Sequence, residues 1–91
     1  LTALCQVNLE DKTYQQALSV CREALQVDPK SAENKTNVGL ALYYTDSEAK
    51  ALQQLKTAAD KNPQSDYSQI QYALILQGKK DFLGALNYFK R

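Results

Sequence analysis

Apolar residues recur along this chain at helical spacing, in segments separated by short polar turns. One stripe follows the spacing i, i+1, i+4, i+7, i+8, which places its members on one face of an amphipathic helix; they are Ala17, Leu18, Cys21, Ala24 and Leu25. The stripe recurs from Ala51 to Ala59, and no segment shows the alternation typical of a strand. The pattern therefore predicts an all-α chain with six helices, at about residues 1–10, 14–27, 32–44, 48–61, 66–78 and 82–91.

Proline-containing turns mark two of the predicted helix ends. Pro29 and Pro63 lack a backbone N–H and restrict the preceding residue, so each ends a helix. Ser31 and Ser65 follow them and are suited to cap the next helix. Because all the turns are short, we expect sequential helices to be antiparallel neighbours.

Two further helix starts are predicted by threonine. Thr13 with Gln16, and Thr45 with Glu48, match the capping box in which a hydroxyl and a carboxylate or amide satisfy the first N–H groups of a helix. We therefore expect these threonines to cap the starts of the second and fourth helices.

The helical pattern repeats at a fixed interval. Pro29 and Pro63 are 34 residues apart, and Ala17, Ala51 and Ala85 share the same offset. Matching positions are also found at Leu18, Leu52 and Leu86, at Ala24 and Ala58, at Ser31 and Ser65, and at Cys5, Gly39 and Ala73. We therefore predict one domain, 1–91, with units 1–31, 32–65 and 66–91, of which the first and last are truncated.

A helix–turn–helix unit of this length resembles the tetratricopeptide repeat. The family's first-helix signature is similar to Val38-Gly39-x-x-Leu42, and its second-helix signature to Ala51-x-x-x-Leu55. The resemblance covers the whole chain and implies a helical repeat solenoid with a right-handed superhelix and about six antiparallel helices. The chain departs from the family pattern at Lys35, Glu48 and Asn8.

The repeat frame suggests that the chain is part of a longer array. Leu1 falls inside a first helix and Arg91 inside a sixth, so about two and two-thirds repeats are present. Solenoid units bury their faces on neighbouring units. We therefore expect Leu86, Tyr88 and Phe89 to lie on an uncovered end, and self-association through the repeat ends is an alternative function.

The resemblance also implies that the first helix of each unit lines a concave groove. Tyr43 and Tyr44 lie about 100° apart on one helix and cannot share a narrow stripe. We expect Tyr43 to line the groove, beside Thr36 and Leu40, and Tyr44 to shield the helix end, with ordinary helix packing as the alternative for both rings. For Leu9, Leu40 and Leu74, a place on the groove floor and a place in the core between repeats remain two alternatives. The candidate partner-binding residues are Thr2, Gln6, Leu9, Glu33, Thr36, Asn37, Leu40, Tyr43, Tyr44, Tyr67, Ile70, Gln71 and Leu74.

One subclass of the family binds acidic tails through a clamp of two lysines, two asparagines and an arginine. The positions that resemble the clamp carry no cation, and only Asn37 agrees; they are Thr2, Gln6, Asn37, Tyr67 and Gln71. A carboxylate would gain no charge-assisted hydrogen bond from them. We expect instead a neutral groove with apolar and aromatic patches, suited to an extended or helical peptide.

The composition of the chain argues against several classes of function. The net charge is +1, which gives no electrostatic footprint for nucleic acid or an anionic membrane. No apolar stretch approaches the roughly 20 residues of a membrane span. Histidine is absent, glycines are isolated and the carboxylates are scattered, so we expect no cofactor, no metal site and no catalysis.

The two cysteines are placed on facing helices of the first unit. Free cysteine is commonly a small buried hydrophobe. We expect Cys5 and Cys21 to be core thiols, with a disulfide as the alternative. Taken together, the sequence predicts a non-catalytic scaffold that binds a protein or peptide partner.

Overall fold

A computed structural model describes residues 1–45 and 48–90. Within these ranges it contains six α-helices and no strand, which confirms the all-α prediction. Each described helix boundary lies within one residue of its predicted position, and the predicted last residue, Arg91, lies outside the described residues. The helices are α1 (Thr2–Glu10), α2 (Tyr14–Val27), α3 (Ala32–Thr45), α4 (Glu48–Lys61), α5 (Asp66–Gly78) and α6 (Phe82–Lys90).

The helices stack along the chain in the manner of a repeat array. Each helix packs on the next one, and α3 also contacts both α1 and α5. The first helices of successive pairs therefore lie side by side, while α2 and α4 pack behind them. This arrangement gives α3 neighbours on several sides and makes it the most buried helix of the chain.

Two hydrophobic clusters form the core. One joins α1, α2, α3 and α4 around the fully buried Cys5, Cys21 and Ala41. The other joins α3, α4, α5 and α6 around Leu55 and Ala73. Small residues at these contacts, among them Ala17, Ala41 and Ala73, allow the helix backbones to approach closely.

Gly39 marks the closest of these approaches. A Cβ atom built on Gly39 would lie 2.8 Å from both Cγ and Cδ2 of Leu55. Leu55 is 1% exposed and is held on all sides by the second cluster. The glycine is therefore required by the packing of α3 on α4.

Cys5 and Cys21 form a disulfide between α1 and α2. The expectation of core thiols is therefore wrong. The two Cα atoms lie 4.9 Å apart, which is inside the range that a disulfide spans. Both residues are fully buried, as expected, but they are joined because facing positions on the antiparallel helices bring the side chains together.

The serine caps are present, and the threonine caps are not. The Oγ of Ser31 accepts a hydrogen bond from the backbone N–H of Asn34 at 3.1 Å, and Ser65 caps α5 in the same way through Ser68. Thr13 instead donates its hydroxyl to the backbone oxygen of Asn8, at 3.1 Å.

The predicted capping box of Thr45 and Glu48 is also wrong. Thr45 is the last residue of α3, and its hydroxyl donates to the backbone oxygen of Ala41 at 2.8 Å. Because α3 continues through this residue, the hydroxyl satisfies a carbonyl of its own helix rather than an N–H of α4.

Buried side-chain amides join each second helix to the following first helix. Asn34 Nδ2 donates to the backbone oxygen of Ala24 at 3.1 Å, and Gln69 Nε2 donates to that of Ala59 at 2.5 Å. Both amides are at least 97% buried. Buried polar groups need such partners, so these bonds fix how one helix pair sits on the next.

Tyr88 is buried, which corrects the expectation that it lies on an uncovered end. Its ring meets Tyr72 edge-on at 4.7 Å between centroids, and its hydroxyl donates to Asp60 at 2.8 Å. Leu86 and Phe89, in contrast, are about half-exposed. The side of α6 that carries Tyr88 faces α4 and α5, and this geometry covers only that side.

Candidate functional site

The first helices and the start of α2 enclose a cavity of about 370 Å³. Each of the three first helices contributes residues at i, i+3 or i+4 spacing, which are neighbours on one helix face. The lining residues are Gln6, Leu9 and Glu10 from α1, Tyr14 from α2, Leu40 and Tyr44 from α3, and Tyr67 and Gln71 from α5. The structure thus brings together six of the sequence-predicted residues and adds Glu10 and Tyr14.

Stacked aromatic rings form one wall of this groove. The rings of Tyr14 and Tyr44 lie nearly parallel, with centroids 4.4 Å apart, and Tyr43 meets Tyr44 edge-on at 5.1 Å. Tyr44 is 50% exposed. Burial of the hydroxyl raises the pKa of Tyr44, and the neighbouring Tyr14 and Tyr43 raise it further. The wall therefore offers a flat, uncharged aromatic surface with polar edges at neutral pH.

Tyr44 and Tyr43 exchange the positions that the sequence predicted for them. Tyr43 packs against both hydrophobic clusters, whereas Tyr44 lines the cavity. The reason is that the face of α3 that carries Thr36 and Tyr43 is turned toward neighbouring helices. Thr36 itself is 1% exposed and hydrogen-bonded to Ser68 of α5 at 2.7 Å.

A polar network supports the floor of the groove. The hydroxyl of Tyr67 donates to Oδ1 of the fully buried Asn37 at 2.5 Å. Gln6 donates from Nε2 to the carboxylate of Glu33. Burial is the main cause that raises the pKa of Tyr67, and the charge of Glu33 contributes next. These contacts hold Tyr67 protonated and oriented across the gap between α3 and α5.

The groove carries negative charge, although we expected it to be neutral. Glu10 lines the cavity, and Glu33 binds one of its lining residues, Gln6. The lining residues within the described part of the chain include no lysine or arginine. The groove therefore combines apolar and aromatic side chains with acidic ones.

The remaining predicted residues lie outside the cavity. Thr2 donates its hydroxyl to Asn34 at 2.8 Å, and so links α1 to α3. Ile70 and Leu74 are exposed on α5 without lining the cavity, so the role of Leu74 as groove floor or as core is not supported. For Leu9 and Leu40 the same two alternatives were predicted, and both are observed: each residue lines the cavity and also packs in the core.

Two groove residues escaped the sequence reasoning. Glu10 lies four residues after Gln6, one turn further along the same face of α1, so the helical period alone could have found it. Tyr14 begins α2, whereas the resemblance to the family assigns the groove to the first helices alone. Its position two residues past the turn lets its ring reach back over α3.

Within residues 1–45 and 48–90, no group of three or more histidine, cysteine or carboxylate side chains is arranged to hold a metal ion. None of the described helices combines the length and the hydropathy that crossing a membrane requires.

Comparison with known proteins identifies the family. A comparison with curated protein sequences found no significant match. The family profile of the tetratricopeptide repeat, however, matches residues 8–75, which is most of the chain, and the six helices fit this repeat. Proteins of this family generally act as protein-interaction scaffolds that bind proteins or peptides, and they are generally not enzymes. The chain belongs to the tetratricopeptide repeat family.

Proposed function

We propose that this chain is a non-catalytic interaction module that holds a peptide in the groove formed by α1, α3 and α5. The observation that carries the proposal is the half-exposed Tyr44, stacked on Tyr14 beside a cavity of about 370 Å³. A rigid aromatic pair at the edge of a cavity provides contact area at little cost in conformational entropy, which suits an anchor residue of a partner.

The lining chemistry defines the peptide. Leu9, Leu40 and the tyrosine wall favour an apolar or aromatic anchor, while Glu10 favours a lysine or arginine near it. Gln71 presents both a hydrogen-bond donor and an acceptor, which suits the backbone of an extended or helical segment. We therefore propose a peptide that combines one apolar anchor with at least one basic residue.

A random peptide library displayed on phage tests this proposal. We expect the selected peptides to share an apolar anchor and a lysine or arginine. Tyr44→Ala should weaken the binding of a selected peptide by about tenfold or more, since truncation of a central anchor residue costs more than about 1.4 kcal/mol. Glu10→Gln should weaken it less and only for peptides that carry the basic residue.

Phe82→Ala is the matched control. Phe82 is an exposed aromatic residue at the start of α6, away from the groove, so its truncation should leave peptide affinity unchanged. The proposal is wrong if no peptide is selected, or if Tyr44→Ala binds as tightly as the unaltered chain while Phe82→Ala does not.

Exposed apolar side chains on the terminal helices favour a second candidate, self-association. Leu4 and Val7 on α1, and Leu83, Leu86 and Phe89 on α6, are each 45% exposed or more. Apolar patches of this kind often mark interaction sites. Sedimentation of the chain over a concentration series tests this candidate. Mass that rises with concentration, and that Leu83→Glu abolishes, would support it, and a constant monomer mass would exclude it.

A further inference from the structure

The first helix, α1, is held in the array by little buried surface. Every residue of this helix is described, and Cys5 is the buried one among them, at 0% exposure. Leu4 and Val7 are about half-exposed, and Leu9 is partly buried against both core clusters. Segments with few buried apolar contacts open more easily than the rest of a fold. The docking of α1 therefore depends strongly on the contact that Cys5 makes.

That contact is the disulfide to Cys21 of α2, which holds the two Cα atoms 4.9 Å apart. By the 34-residue offset, Cys5 and Cys21 occupy the positions that Gly39 and Leu55 occupy in the second unit. Gly39 and Leu55 form a close noncovalent contact between α3 and α4. In the first unit a covalent bond thus replaces the packing that joins a first helix to its second helix.

The other end of the bond lies on a firmly held helix. Ala17, Cys21 and Ala24 of α2 are buried, and Ala17 and Cys21 share a core cluster with residues of α3 and α4. The backbone oxygen of Ala24 also accepts the hydrogen bond from the buried amide of Asn34 in α3. The disulfide therefore ties a weakly held helix to one that keeps its place by packing.

The groove requires α1 to stay docked. Gln6, Leu9 and Glu10 line the cavity from this helix, and Gln6 directly follows Cys5 in the chain. Thr2 and Gln6 also donate hydrogen bonds to side chains of α3, but both bonds are only partly buried. Water can replace such bonds at a small net cost. Loss of the disulfide would therefore leave this wall of the groove with weak attachments.

We propose that the disulfide between Cys5 and Cys21 is a redox switch for the groove. In the oxidised chain the bond holds α1 in place as a groove wall, and reduction releases α1 and weakens the binding of the partner peptide. The part of this inference that concerns peptide affinity rests on the function proposed above, whereas the release of α1 does not.

A dithiol supplies the two electrons for reduction. One thiolate of the dithiol attacks a sulfur of the bond, the S–S bond breaks, and a mixed disulfide forms. The second thiolate then closes the disulfide of the reagent, and the two chain sulfurs leave as thiolates that take up protons. Cys5 and Cys21 are fully buried, so the attack requires a local opening of α1. They are the two cysteines of the sequence, so the dithiol has no other disulfide to reduce within it.

Hydrogen exchange with and without dithiothreitol tests the release of α1. Amides of residues 6–10 should exchange about tenfold faster or more in the reduced chain, because the bond no longer limits the opening of this helix. Amides of α2 and α5 should remain protected in both redox states. This contrast distinguishes the release of one helix from the unfolding of the whole chain.

Peptide affinity tests the effect on the groove. The peptide is one selected by phage display on the oxidised chain. Apparent affinity falls in proportion to the fraction of chains in which α1 is docked, so the reduced chain should bind about tenfold more weakly or less tightly still. Cys5→Ser/Cys21→Ser should behave like the reduced chain whether or not dithiothreitol is present.

The variant Cys5→Gly/Cys21→Leu is the matched control, since it copies the noncovalent pair of the second unit. Its exchange rates and peptide affinity should be the same with and without dithiothreitol. A response of this variant equal to that of the unaltered chain would overturn the inference, because the reagent would then act elsewhere.

Three other results would also overturn the inference. Residues 6–10 exchange equally fast in both redox states, α2 and α5 lose protection together with α1, or the reduced chain binds the selected peptide as tightly as the oxidised chain. Failure to select any peptide would instead be a failure of the proposed function. The exchange of residues 6–10 would then still decide whether the bond holds α1 in place.

Discussion

The close approach of Gly39 to Leu55 predicts that Gly39→Ala does not stabilise the chain while Leu55 is present, and that it stabilises the chain once Leu55 is truncated. In Gly39→Ala, the new methyl group meets Cγ and Cδ2 of Leu55 at 2.8 Å, a distance that real Cβ contacts essentially never show. Leu55 is 1% exposed and lies in the second core cluster, so it has no room to withdraw. Overpacking of this kind costs about 1–3 kcal/mol.

Helix propensity opposes that cost. Alanine stabilises a helix interior by about 1 kcal/mol relative to glycine, and Gly39 lies near the middle of α3. The net effect of Gly39→Ala is therefore a loss of about 0–2 kcal/mol in the free energy of unfolding. Gly39→Leu adds more volume at the same place and should destabilise the chain further.

The same substitution should become stabilising once the obstacle is removed. Leu55→Ala alone should cost about 2–5 kcal/mol, because it leaves a cavity in the core. In that background the methyl group of Gly39→Ala keeps only an ordinary contact with the backbone nitrogen of residue 55, at 3.5 Å, so the helix-propensity gain of about 1 kcal/mol should dominate. Urea unfolding of the two single variants and the double variant measures the coupling, which should be about 1–3 kcal/mol.

Gly78→Ala is the matched control, since a Cβ atom there has no neighbour within 4 Å. It should leave the chain equally stable or slightly more stable. Packing against Leu55 does not require a glycine at position 39 if Gly39→Ala stabilises the unaltered chain as much as Gly78→Ala does, or if its effect is the same with and without Leu55.

Two further predictions concern the disulfide and alkaline pH. Reduction of the bond between Cys5 and Cys21, which are 16 residues apart, should lower the free energy of unfolding by about 3 kcal/mol through the greater entropy of the unfolded chain; an unchanged urea midpoint with reductant present would contradict this. Burial raises the pKa of Tyr67 and Tyr72 above the ordinary 10.0, so the folded chain holds these protons more tightly than the unfolded chain. The contribution of these two tyrosines to the free energy of unfolding should be fully present below about pH 10 and should be lost as pH rises through their folded-state pKa values. Tyrosinate absorbance and urea unfolding at stepped pH measure this. Tyr67→Phe should weaken the pH dependence of stability, and equal pH dependence in the variant and the unaltered chain would refute the prediction.

The architecture was predictable because the signals for it are local. Prolines and serine caps determine where helices end and begin, and each requires only the residues of one turn; the 34-residue offset, which shows how the helices recur, requires only a comparison of positions along the sequence. The structure reproduces the helix bounds on that basis. The assignment of units 1–31, 32–65 and 66–91 stays a prediction.

The groove was harder to predict because its composition depends on contacts between helices. The period of α3 correctly places Tyr43 on the face of Thr36, but in the folded chain Thr36 is hydrogen-bonded to Ser68 and Tyr43 packs against both core clusters. Tyr14 reaches the groove from a second helix, across a turn. The disulfide likewise depends on the separation of two Cα atoms on different helices, which no pattern within one helix contains.

The groove lies on one side of α3, and a second cavity of about 550 Å³, lined by residues of α2, α3 and α4, lies on the opposite side. Leu40 and Tyr44 line the groove, whereas Lys35 and Leu42 line the second cavity; at about 100° per residue the two pairs point roughly 170° apart. Among the described residues, none lines both cavities. A peptide in the groove should therefore not contact Lys35, and Lys35→Gln should leave peptide affinity unchanged while Tyr44→Ala weakens it. Equal losses of affinity in the two variants would show that the peptide does not lie in the groove.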